Sequence, residues 1–164
     1  MSTLKVNAIT ETDGSAFPFG KILQIQTLKR DQGSTLSSTS GTAFDFIAKA
    51  ITTSSNDSKV LVISTCFVRS RRYPGTESYG GAKLIRTPSG GSATTLIDNH
   101  NFGIESYPGI QIIALQGSFS QCVLDTPGNA GTYTYTVQLQ NDSGGNATVY
   151  GYDDSSITLL EIAA

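Results

Sequence analysis

Thr132-Tyr133-Thr134-Tyr135-Thr136-Val137-Gln138-Leu139-Gln140 alternates without a break, with Tyr133, Tyr135, Val137 and Leu139 on one face and Thr134, Thr136, Gln138 and Gln140 on the other. A period of two belongs to a strand with one face in a core, because successive side chains of an extended chain point to opposite sides. Asn141-Asp142-Ser143-Gly144-Gly145-Asn146 follows directly. Such residues accept positive φ or bond to their own backbone, so a reversal is expected there before strands over 148–152 and 156–162.

Upstream, the same signal recurs between turn signals. Residues 59–69 read as the strongest strand, with Leu61, Ile63, Thr65 and Phe67 on one face and Val60, Val62, Ser64, Cys66 and Val68 on the other. A strand apolar on both faces is central to a sheet or lies at an interface. Residues 21–29, 43–51, 81–87, 94–97 and 110–119 supply weaker candidates, punctuated by Ser89-Gly90-Gly91 and Tyr107-Pro108-Gly109. About eight to ten short strands at this spacing indicate an all-β fold, an antiparallel β-sandwich or jelly roll.

Composition agrees. The 164 residues are 38% hydrophobic and 15% charged with 17 glycines, a mixture that suits short strands and tight turns and disfavours long helices. The length fits one domain. Residues 1–20 read as an N-terminal arm and hinge, in which Leu4, Val6 and Ile9 form at most a short strand that needs a surface to pack on, and Phe17-Pro18-Phe19-Gly20 marks the hinge. Residues 21–164 form the body. At its end Ile157, Leu159, Leu160 and Ile162 make a strand too apolar for a free tail, expected in the middle of a sheet or against a symmetry axis. Glu161, set among them, then needs a partner or water.

Function classes narrow by subtraction. Apolar runs such as Val60-Leu61-Val62-Ile63 fall far short of the ~20 residues that cross a bilayer, and Met1-Ser2-Thr3-Leu4-Lys5 lacks the apolar stretch of an export signal, so neither membrane insertion nor general export is expected. Cys66 and Cys122 are the only cysteines, and both read as buried free thiols, with neither a disulfide nor a metal. His100 is the only histidine; a Ser-His-Asp set with Asp98 lacks any activated-serine motif, so no catalytic residue is assigned. The glycine pairs Gly80-Gly81 and Gly90-Gly91 precede no phosphate-binding helix, and Asp142, Asp153 and Asp154 lack calcium-loop spacing. No cofactor is implied.

Charge is unevenly placed. All 11 Lys and Arg lie at or before Arg86 with 6 acids, giving +5, and the remainder has 7 acids and no base, giving −7. Either strands from both halves interleave and neutralise one another, or a basic edge meets a neighbour's acidic edge. With a pI near 5.2, no nucleic-acid surface is expected. Arg69, Arg71 and Arg72, followed by Tyr73 and Tyr79 and later by Phe102 and Tyr107, form the most binding-like stretch. Guanidinium groups fork onto carboxylates and tyrosines stack on sugars, so the stretch reads as a contact either for an acidic glycan or for a neighbouring subunit.

Met1-Ser2-Thr3-Leu4-Lys5-Val6-Asn7, Gly20-Lys21-Ile22-Leu23-Gln24, Ser58-Lys59-Val60-Leu61-Val62, the 132–140 strand and the closing Ser155-Ser156-Ile157-Thr158-Leu159-Leu160-Glu161-Ile162-Ala163-Ala164 occur in an order that spans nearly the whole chain. Together they resemble small appendage proteins of marine tailed bacteriophages, labelled tail-fibre or virion structural proteins. The resemblance implies a jelly-roll head similar to the globular heads of complement and tumour-necrosis-factor proteins. It further implies a non-enzymatic homotrimer on the virion exterior, assembled in the host cytoplasm and docked to other virion proteins through its arm. In such a trimer Ile157, Leu159, Leu160 and Ile162 lie near the axis, and host attachment falls to the loops. The alternatives are a capsid decoration protein that cements the phage head and, more remotely, a glycan-active enzyme.

Overall fold

Ten strands follow one another in the computed structural model, which describes residues 20–30, 36–38, 42–72, 78–104, 113–141 and 147–163. They are β1 Ile22–Lys29, β2 Leu36–Ser38, β3 Phe44–Thr53, β4 Lys59–Arg72, β5 Ser78–Pro88, β6 Thr94–Ile104, β7 Ile113–Asp125, β8 Gly131–Asn141, β9 Ala147–Gly151 and β10 Ser156–Ile162. Every pairing among them is antiparallel. The expected arm, with Leu4, Val6 and Ile9, lies outside the described residues.

The long β4 organises the first sheet. Residues Val60 to Arg72 pair with β7 along one edge, so β10, opposite Lys59 to Thr65, and β9, opposite Val68 to Arg72, share the other edge. β1 then covers β10, and β2 covers β9. Across its width this sheet runs β1-β10-β4-β7; the second runs β3-β8-β5-β6. The chain crosses repeatedly between the two, which is the double Greek key of a jelly roll.

The core fills the space between the sheets. Phe46, Ile51, Leu84, Tyr135, Val137 and Leu139 from the second sheet meet Val60, Val62, Cys66, Val149, Ile157 and Leu159 from the first, all at most 4% exposed. The alternation of 132–140 holds, with Tyr133, Tyr135, Val137 and Leu139 inward. Thr136 was expected outward, and its register with Ala48 and Ile85 does put it on the outer face; its neighbours nonetheless leave it only 5% exposed.

Strand direction gives the sandwich two distinct poles. At one, Lys21 accepts a backbone bond from Ala163 at 2.9 Å, and the turns after β3, β5 and β7 lie there. At the other, β4, β6 and β8 end and β5, β7 and β9 begin.

Buried acids lock the first pole. The Glu161 carboxylate accepts bonds from Gln24 Nε2 (2.7 Å), the Ser54 backbone N–H (2.6 Å), Ser54 Oγ (2.8 Å) and Ser58 Oγ (2.7 Å). Gln24 Nε2 also donates to the Thr52 carbonyl at 2.6 Å, tying β1 to β3. Asp125 takes both carboxylate oxygens to Arg86 Nη1 at 2.9 Å and accepts Tyr135 Oη at 2.7 Å, joining the two sheets.

Candidate functional site

Large apolar side chains left exposed mark where a sandwich is unfinished. Among the described residues they are Ile22, Leu23, Ile25, Leu28, Ile63 and Leu124, every one on the β1-β10-β4-β7 sheet. Burying a side chain of this size stabilises by roughly 1.5–3 kcal/mol, so a cluster left in water is a standing driving force for association. The outer face of the second sheet has a different character: Ala48, Ala50, Thr52, Thr132 and Thr134, with Lys83 paired to Asp98 at 3.3 Å.

Register resolves the first sheet's outer face into rows. Ile25 lies opposite Leu160, Leu160 opposite Leu61, and Leu61 opposite Leu124, so four aliphatic residues cross four strands in line. The next row is Thr27, Thr158, Ile63 and Cys122, and the one after it Lys29, Ser156, Thr65 and Ser120. Aliphatic surface thus grades into a band of hydroxyls, closed by Lys29, whose Nζ sits 3.2 Å from Asp154.

Beyond the band the chemistry changes again. Residues 152–155 between β9 and β10 stand opposite only Cys66 and Phe67 of β4, a bulge with two surplus residues. The Tyr152 N–H donates to the Phe67 carbonyl, and Ser155 Oγ accepts the Phe67 N–H, both at 2.9 Å, replacing ladder bonds that the bulge removes. Asp154 makes the turn at φ 66°, with its short side chain in the left-handed region. Bulges of this kind re-aim side chains. Here the bulge brings the Tyr152 ring to 5.7 Å from Phe67 and 6.3 Å from Tyr150, stacked on the latter. Arg69, opposite Tyr150 in register, lies 5.9 Å from the centre of that ring and donates to Tyr152 Oη at 3.4 Å.

The sequence-derived residues distribute as follows. Ile157 and Leu159 are completely buried in the subunit's own core, while Leu160 and Ile162 are half-buried on the outer side of the same strand. Arg69 is half-buried on the outer face; Arg71 and Arg72 extend β4; Tyr79 belongs to β5 in the other sheet; and Tyr73 and Tyr107 lie outside the described residues. Tyr150 and Tyr152, which do meet Arg69, sit some 80 residues away in sequence and only the sheet register reveals them. One expectation is corrected: Cys122 is exposed rather than buried, because it lies opposite Ile63 in register and so on the outer face of the sheet. Cys66 is buried, and burial pushes its thiol up to about 12.

Nothing among the described residues gathers three or more metal-ligating groups. Asp98, the candidate orienter of His100, is held by Lys83. Burial, with the adjacent Asp125 carboxylate, raises the Tyr135 phenol well above its ordinary range. For Glu161 burial alone acts upward, but the bonds from Gln24, Ser54 and Ser58 win and hold it down at about 2. Tyr135 and Glu161 are structural groups, each satisfied inside the sandwich.

No protein-family model and no curated protein matches the chain. Among solved structures, the chain is similar to a chain in the structure of infectious bursal disease virus, Gt strain, at 10% identity and a TM-score of 0.50, and to one in the Gx strain at 10% identity and 0.52. These alignments cover 96% and 97% of this chain, which spans 37% of each viral chain. At such identity the likeness is one of fold.

Proposed function

We propose that this protein is a non-enzymatic structural component of a bacteriophage virion, a trimeric exterior appendage of the tail-fibre or receptor-binding-knob kind, docked through residues 1–20. The observation that carries this reading is the confinement of all six exposed large hydrophobics to one sheet. Four of them, Ile22, Ile25, Ile63 and Leu124, lie on its outer face with Leu61, Leu160 and Ile162; a subunit that leaves such a face uncovered is built to be buried by copies of itself, and closed symmetry lets one patch per subunit be covered completely. The jelly roll shared with chains of virus structures supports a place in a particle.

Within this reading the contact between copies through β10 belongs to Leu160 and Ile162, joined by Ile25, Leu61, Ile63 and Leu124. Ile157 and Leu159 serve the subunit core beneath them. The pole that carries Gly20 and Ala163 faces the particle, and the opposite pole faces outward.

Sedimentation of the full chain tests the assembly, and immunolabelling of intact particles tests its place. A trimer found at the tail supports the proposal. Labelling spread over the shell, at a copy number matching the shell lattice, supports the decoration-protein alternative instead. A chain that sediments as a monomer at all concentrations overturns the trimer.

A further inference from the structure

We infer that Phe67, Arg69, Tyr150 and Tyr152 form a binding platform for an acidic saccharide, a sugar bearing a carboxylate of the uronic or sialic type. The inference rests on the appendage reading for its biological setting but on separate residues for its chemistry.

Three aromatic rings and one guanidinium converge on one side of a sheet, half-buried and so partly open to solvent. Among the described residues Arg69 has no carboxylate partner; its neighbours are the Tyr150 ring and the Tyr152 hydroxyl. Neither acid of the bulge pairs with Arg69: Asp154 is taken by Lys29, and Asp153 is engaged elsewhere. By contrast Lys29, Lys83 and Arg86 each have a carboxylate within 3.3 Å. A guanidinium kept between tyrosines and left without a counter-ion is disposed to accept an external anion, and its planar fork matches a carboxylate.

The rings determine what else the anion must carry. Phe67, Tyr152 and Tyr150 offer a run of ring faces for the C–H side of a pyranose, and the two phenols add hydroxyls that both donate and accept. A simple inorganic anion would use Arg69 alone and leave the rings idle. An aliphatic protein surface would leave the guanidinium and phenols unpaired, at a cost in desolvation.

Position separates the platform from the contact between copies. Phe67 follows Ile63 by four residues along β4, roughly 13 Å at the rise of an extended strand, with the hydroxyl band of Thr65, Ser156 and Ser120 between. The platform lies toward the pole opposite Gly20 and Ala163. Single-site binding of one sugar through one guanidinium and a few ring faces is weak, and several copies on one appendage raise it through avidity.

Titration of the full chain with N-acetylneuraminic acid, an alginate oligomer and neutral dextran, followed by tyrosine fluorescence and by calorimetry, tests this. Saturable binding of at least one acidic probe is expected, with dextran inactive. Arg69→Gln should weaken it roughly tenfold or more and Arg69→Lys by less, as expected for loss of a charge-assisted fork. Tyr152→Leu should also weaken it, while Tyr152→Phe, which keeps the ring, should retain most binding. Sedimentation of Arg69→Gln should match the parent. Binding of neither acidic probe, equal binding of dextran, or undiminished binding by Arg69→Gln each overturns the platform. Loss of assembly in Arg69→Gln would also overturn it, by making the cluster a subunit contact. A monomeric parent that still binds the acidic probe through Arg69 would sink the trimer and leave the platform standing.

Discussion

Protonating Glu161 would leave four donors, from Gln24, Ser54 and Ser58, facing a carboxyl that can no longer accept from all of them. In the unfolded chain this group titrates near its ordinary 4.5, and in the fold near 2, so between those values the unfolded state binds the extra proton. Stability from this group is therefore complete above about pH 4.5 and is lost as pH falls toward 2. Glu161→Gln should destabilise by about 1–3 kcal/mol at neutral pH and flatten the acid limb of a denaturation-versus-pH curve. An unchanged limb would mean that other carboxylates set it. The need for a partner was legible from an acid between Leu160 and Ile162, but the identity of that partner was not, because Gln24 and Ser54 come from chain segments over 100 residues away. The cysteines separate on the same ground of exposure. At about pH 8 an alkylating reagent should modify Cys122 and spare Cys66, whose thiol is buried and far from ionised. Mass spectrometry of the labelled chain reads the difference directly.

Strands announce themselves through short-range pattern, and bulges through nothing comparable. The alternation of 132–140 matches the one face that β8 turns to the core, and the doubly apolar run of 59–69 matches the place of β4 at the centre of the first sheet. β2 went unread because three residues, Leu36-Ser37-Ser38, carry no period. The bulge at 152–155 is equally hidden, since the turn-rich Asp153-Asp154-Ser155 reads as an ordinary loop; it becomes a site-former only when Phe67 is known to lie opposite. Gly151, immediately before it, has a definite reason to be glycine: it pairs inward against Val68, and a Cβ there would fall within the Phe46 ring. Phe46 cannot retreat freely, because Arg30 lies 4.9 Å over its ring and donates to its carbonyl at 2.7 Å. Gly151→Ala should therefore destabilise by about 1–3 kcal/mol through overpacking, and pairing it with Phe46→Leu should recover part of the loss. Chemical denaturation of the single and double variants measures this; additive losses would show that the two side chains do not share the space.

For the whole molecule, part of the uneven charge of the sequence is neutralised inside one subunit. Lys29 with Asp154, Lys83 with Asp98 and Arg86 with Asp125 each join a base from the first 86 residues to an acid from the remainder. Interleaved strands do what the jelly roll demands of them, since β1 and β5 come early in the chain and find neighbours in late strands or the bulge beside them. Three acids once available to a neighbour's basic edge are thereby used at home. In the proposed assembly, cohesion between copies would rest on the row Ile25, Leu160, Leu61 and Leu124, whose burial is insensitive to screening, whereas exposed ion pairs contribute only about 0–1 kcal/mol each and fade over ~8 Å at physiological salt. The two faces of β10 provide the discriminating variants. Leu159→Asp places a charge in the core and should unfold the subunit, whereas Leu160→Asp places it on the outer face and should give a folded monomer by circular dichroism and sedimentation. The parent assembly should persist at about 1 M salt, where the screening length falls to ~3 Å. Dissociation of the parent at that salt, together with an assembled Leu160→Asp, would show that charge rather than the aliphatic row holds the copies together.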